Sequence, residues 1–106
     1  MLHRALQIET LKSVHKNGVQ YTELKDSIIR TKDEEIYYPL SISKFEERLK
    51  QYGFFRIHKS FLININKVSK IESTFQSKLI FHFEGIKDKI KSSKEGGKHF
   101  RENFKP

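Results

Sequence analysis

Apolar and polar positions alternate along most of this chain, with one interruption near its middle. Over 5–10 and 14–24, Leu6/Ile8 and Val19/Tyr21 place apolar groups on one side of an extended backbone. Asn17-Gly18 between them is a hairpin signal, because both residues tolerate positive φ. Ile28 and Ile29 mark the next stretch, 27–31, and Lys32-Asp33-Glu34-Glu35 reads as an exposed turn into Ile36-Tyr37-Tyr38. The pattern predicts short strands, closely spaced.

The interruption has a helical period. Ile42, Phe45, Leu49 and Tyr52 form one stripe, Ser43 with Glu46 reads as a capping box, and Gly53 stands where a helix would stop. This predicts a helix over Ser43–Tyr52, with Lys44, Glu47, Arg48 and Lys50 on its solvated face. Alternation then resumes. Phe55, Ile57, Phe61, Ile63 and Ile65 share one parity; Arg56, His58, Ser60, Asn64 and Asn66 share the other. Lys59 falls on the apolar parity, where a charge would need a partner, so His58-Lys59-Ser60 is expected to leave the strand as a bend. Leu79, Phe81 and Phe83 predict another inward row, ended by Glu84-Gly85. Beyond it, 87–94 is basic and rich in hydroxyls, and Glu95-Gly96-Gly97-Lys98 reads as a flexible corner. Phe100 and Phe104 then suit one docking helical turn. The expected architecture is mainly β, in antiparallel sheets, with one short helix and a short C-terminal helical turn.

Composition narrows what such a fold does. At 106 residues and 36% hydrophobic, the chain fits a single domain over 1–106 with a small core. The absence of cysteine excludes a disulfide framework and any thiolate nucleophile or metal ligand. No apolar run approaches the roughly 18 residues a membrane span needs, and 1–10 lacks a signal-peptide stretch, so a cytoplasmic location is expected. Met1 fits either a natural start or one added to a fragment. The net charge is +8, and residues 54–106 carry most of it. That asymmetry points to a polyanionic partner meeting one face.

Enzymatic chemistry finds little support. The five histidines lack metal-ligand spacing, Gly96-Gly97-Lys98 lacks the remainder of a phosphate-loop motif, and Asp33-Glu34-Glu35 falls in a predicted turn. No catalytic residue, metal or cofactor is expected. Nucleic acid fits better, since Lys59 and Lys94 would give two basic bends, with Ser60, Ser92 and Ser93 able to donate to phosphates. Most aromatics fall on inward parity, which favours contact with a duplex backbone over stacking on single strands.

Within 54–66, the run Phe55-Arg56-Ile57-His58-Lys59-Ser60-Phe61-Leu62-Ile63-Asn64 closely resembles the F-x-R-x-H-x-S-x-x-V-N core of the LytTR DNA-binding domain of bacterial response regulators. Tyr21-Thr22-Glu23 looks like the family's strand ending in Glu, Pro39–Leu49 like its helix before the core, and Ser93-Lys94 like its Ser-Arg. The resemblance implies an elongated β-β-β fold of about ten strands. It further implies sequence-specific binding of double-stranded DNA at promoter direct repeats, with loops in the major grooves and bending of the duplex.

By position, the resemblance assigns contacts to Leu24-Lys25-Asp26, to His58-Lys59-Ser60 and to Ser92-Ser93-Lys94, with Lys91 and Lys98 beside the last. His58 is open to two readings, a brace for the bend or a DNA contact. Arg56 is read as a phosphate contact or an intrachain ion pair rather than a base reader. A receiver domain precedes this module in the family but is not encoded here, and a dimer on DNA is compatible with paired repeats. Two other readings stay open, a LytTR-like protein-interaction domain without DNA readout and an RNA binder. Lys59 and Lys94 stand where the family often has Arg, and lysine lacks the fork that reads guanine. Weaker or altered base preference is expected there.

Overall fold

The computed structural model describes residues 10–14 and 26–104. The predicted strands before residue 10 and within 15–25, the Asn17-Gly18 turn, and Lys25 lie outside the described residues.

Eight strands are described, in two antiparallel sheets. The larger contains β1 (Thr10–Val14), β2 (Asp26–Arg30), β3 (Glu35–Tyr38), β4 (Phe54–His58) and β5 (Phe61–Asn64), in the order β3-β2-β1-β5-β4. The smaller is a meander of β6 (Val68–Ser73), β7 (Leu79–Phe83) and β8 (Ile86–Lys91). The acidic turn leading into β3 closes as predicted, with the Thr31 N–H donating to the Glu34 carbonyl at 2.9 Å.

The helix α1 (Ile42–Leu49) buries Ile42, Phe45 and Leu49, the stripe the sequence shows. Its cap is Ser41 rather than Ser43, because Ser41 keeps an extended backbone while its side chain accepts the Lys44 N–H at 3.2 Å. Glu46 is therefore free of the expected capping box and reaches Arg56. Lys50–Tyr52 tightens into a 3-10 turn, and Gly53, at φ 88°, ends it. Only glycine takes that conformation readily, and a Cβ here would also press on Asn66 Nδ2 at 2.9 Å.

The strands β4 and β5 are covered on both faces, unlike the one-sided pair their alternation predicts. Phe54 and Leu62 join Ile29 and the α1 stripe in one core. Ile57 and Ile63 join Leu79, Phe81, Phe83 and Phe100 in a second, against the small sheet. A layer order of α1, large sheet, small sheet results. Buried polar groups within it are satisfied: the Ser27 hydroxyl donates to the Leu40 carbonyl at 2.7 Å, and Asn64 Oδ1 accepts the Asn66 N–H at 3.0 Å.

The chain ends in α2 (Lys94–Asn103), a full helix of 10 residues where the sequence predicts a flexible corner and one docking turn. Gly96 and Gly97 lie inside this helix. A Cβ on Gly96 would sit 1.8 Å from the Ile57 carbonyl oxygen, and one on Gly97 would sit 2.7 Å from that of Ser77. The glycines serve close packing of the helix on β4 and on the β6–β7 turn. Phe100 is buried, whereas Phe104 is exposed.

Candidate nucleic-acid interface

The bend at 59–60 forms where the lysine falls out of register. The ladder between β4 and β5 slips after Arg56, pairing Arg56 with Leu62 and His58 with Phe61, so Ile57 is an extra residue. Such a bulge bends a strand and re-aims its groups. The Ile57 carbonyl accepts the Ser93 N–H at 3.1 Å and the Ser93 hydroxyl at 3.4 Å. One main-chain oxygen thereby ties the first basic segment to the second.

Arg56 holds the bend from below. Its Nε donates to the His58 carbonyl at 3.0 Å, and its two terminal nitrogens reach the Lys59 carbonyl and Glu46 Oε1 at 2.5 and 2.9 Å. Of the two sequence readings for Arg56, the structure shows the intrachain ion pair. His58 Nδ1 accepts the Ser60 N–H at 3.0 Å, which makes this side chain a brace. Its pKa lies below the ordinary histidine value, first through partial burial and then through the charges of Lys59, Arg56 and Lys78. The neutral ring is the form that can accept. With Arg56 and His58 occupied, Lys59 is exposed and Ser60 half-buried.

In the second segment the hydroxyls turn inward. Ser92 is buried, its Oγ accepting the Leu79 N–H at 2.9 Å while its own N–H donates to the Leu79 carbonyl. Ser93 caps α2, with its Oγ accepting the Gly96 N–H at 2.9 Å. These hydroxyls therefore shape the segment, where the sequence suggests donors to phosphate. Lys91 and Lys94 are exposed beside them, and Lys98 is exposed one turn farther along α2.

An open groove of about 620 Å³ joins the two segments, lined by His58, Phe61, Lys78, Lys89, Ile90, Lys91, Ser92, Ser93 and Lys94. Sequence reading passes over Lys78 and takes Lys89 only as part of the basic stretch 87–94. Lys78, just before β7, and Lys89, on β8, fall on the parity opposite the buried row Leu79, Phe81 and Phe83, but gathering them beside His58 needs the strand pairing, in which Ile80 faces Lys91 and His82 faces Lys89. On the same face of the small sheet, His82 Nε2 contacts Glu72 Oε1, and that hydrogen bond holds the Glu72 carboxyl below its ordinary pKa. No group of His, Asp and Glu among the described residues could hold a metal ion, and no described helix is long and apolar enough to cross a membrane. An interface of clustered lysines on a rigid β frame suits a phosphate backbone.

Comparison with known proteins agrees with this chemistry. The family model for the LytTr DNA-binding domain matches residues 9–105. Transcriptional regulatory protein YpdB is 31% identical over 88 residues, both in Escherichia coli K12 and in the O6:H1 strain CFT073. The match covers 81% of this chain but 36% of either relative, so the chain spans about a third of their length. Among solved structures, a LytTr DNA-binding domain from Bacillus cereus superposes with a TM-score of 0.73 at 19% identity, covering 91% of this chain and 79% of that one.

Proposed function

Because the chain belongs to the LytTR DNA-binding domain family, we propose that it is the sequence-reading domain of a bacterial transcription regulator, acting in the cytoplasm on promoter direct repeats. The observation that carries this is the junction of two basic segments in one groove through the Ile57 carbonyl. Lys59 stands on the bend as the probe toward the bases, while Lys78, Lys89, Lys91 and Lys94 hold phosphates on either side. Ser60 N–H, His58 and Arg56 fix the bend. Lys25, in the segment that the family resemblance assigns to a second groove, and Lys98 supply further contacts. The duplex bends to meet both. Two copies on paired repeats would form the active complex, under the control of a receiver domain.

Selection of bound duplexes from a pool of about 25 randomised base pairs, at near-physiological salt, tests this. The expected result is enrichment of two short repeats in one orientation, about one helical turn apart. Binding without enrichment would leave only backbone attraction. An absence of binding to any duplex would overturn the reading and favour a protein partner, and preference for single strands would favour RNA.

A further inference from the structure

Phe75 is 99% exposed, at the tip of the turn between β6 and β7. An aromatic ring wholly in water contributes nothing to the core, and at this tip its whole face is open to a partner. The turn beneath it is firmly built. Thr74 N–H donates to the Lys78 carbonyl at 2.9 Å, Ser77 N–H to the Thr74 carbonyl at 3.2 Å, and Thr74 Oγ1 accepts from both Gln76 N–H and Lys78 N–H at 3.3 Å. Ser77 takes φ 67°, unique among the described non-glycine residues. Its carbonyl rests on Gly97 and accepts from Arg101 at 3.1 Å, which seats the turn on α2. The ring is thus held out on a rigid support.

Its surroundings say what it meets. Lys78, at the foot of the turn, lines the basic groove. Three residues of chain cover at most about 10 Å, so the Phe75 backbone lies within that distance of a residue that lines the groove. The residues beside it in the turn, Thr74, Gln76, Ser77 and Lys78, are polar. A protein-docking surface would need a contiguous apolar patch of hundreds of Å². A single ring beside cations is what a DNA wedge requires.

We propose that Phe75 is an apolar wedge on the bound duplex, passing the phosphates held by Lys78 and its neighbours to reach sugars and base edges. This rests on the DNA-binding reading above. The chain has no tryptophan, so Phe75→Trp places a single indole at the tip. Titrated with a duplex recovered from the random pool by the wild-type protein, this variant should show emission quenched by DNA and shielded from acrylamide. Phe75→Ala should lose about tenfold in affinity, by the same factor at 50 and 200 mM salt, with its thermal midpoint unchanged. Unchanged indole emission from Phe75→Trp together with Phe75→Ala affinity within twofold of wild type, while wild type still binds, would overturn the wedge alone. Wild type failing to bind any duplex would overturn both readings. A change in self-association of Phe75→Ala without DNA, at unchanged DNA affinity, would move the ring to a protein contact and also overturn it.

Discussion

A histidine whose Nδ1 accepts the Ser60 N–H cannot carry a proton on that nitrogen, and this couples the bend to pH. The folded state holds the His58 pKa below the value near 6.5 of the unfolded chain. As pH falls through that unfolded value, the unfolded state takes up the proton first, so the stability contributed by neutral His58 is present above it and declines toward the lowered folded pKa. The denaturant midpoint should therefore drop between pH 7.5 and 5.5. His58→Asn, whose Oδ1 can replace Nδ1 as acceptor, should show a shallower drop; parallel curves would assign the loss elsewhere. The lysine at position 94 makes a different prediction. A guanidinium can grip a guanine edge with two bonds, worth roughly 1–3 kcal/mol of discrimination, where an ammonium makes a point contact. Lys94→Arg should accordingly sharpen the base preference recovered from a random pool, and identical preferences in the two proteins would place Lys94 on phosphate alone.

At the element scale, α2 and β4 depend on each other, because the helix lies flush on the Ile57 carbonyl. Gly96→Ala would ordinarily favour a helix by up to about 1 kcal/mol. Here the added methyl meets main chain, and overpacking of about 1–3 kcal/mol should dominate. The variant is expected to unfold at lower temperature and to lose DNA affinity as well, measured by calorimetry and by titration. Raised stability would show that α2 can lift away from β4 freely. This glycine also marks where sequence reading runs out. Gly96-Gly97 between polar residues looks like a corner in isolation, and only the neighbour at 1.8 Å explains it. The strands β4, β5 and β7, the α1 stripe, the Gly53 stop and the bend at Lys59 were legible, since each follows from local periodicity or a single misplaced charge; β6 and β8, whose central positions are mostly charged, were not. Burial on both faces of β4–β5 was not, for Phe54 and Leu62 declare themselves only when α1 packs above them. The hydroxyl of Ser92 misled for the same reason: its partner, the Leu79 N–H, lies thirteen residues away.

For the molecule as a whole, dimensions and charge set the terms of DNA binding. The long axis of 41 Å exceeds the roughly 34 Å of one duplex turn, so a single domain can reach from one major groove toward the next. Each phosphate neutralised contributes about −0.9 to the slope of log K against log salt. Lys78, Lys89, Lys91 and Lys94 together should then give a slope of about −3.6 or steeper, and the pair Lys91→Ala with Lys94→Ala should make it shallower by about 2. A slope that does not respond would remove the groove from the contact surface. The junction at Ile57 has a further consequence, in the time course of association. Two anchors already locked together by a main-chain bond need no ordering step when DNA arrives, so capture from this half of the interface should be a single encounter, steered by charge. In stopped-flow mixing the observed rate should climb in proportion to protein concentration, and a plateau would reveal a conformational gate.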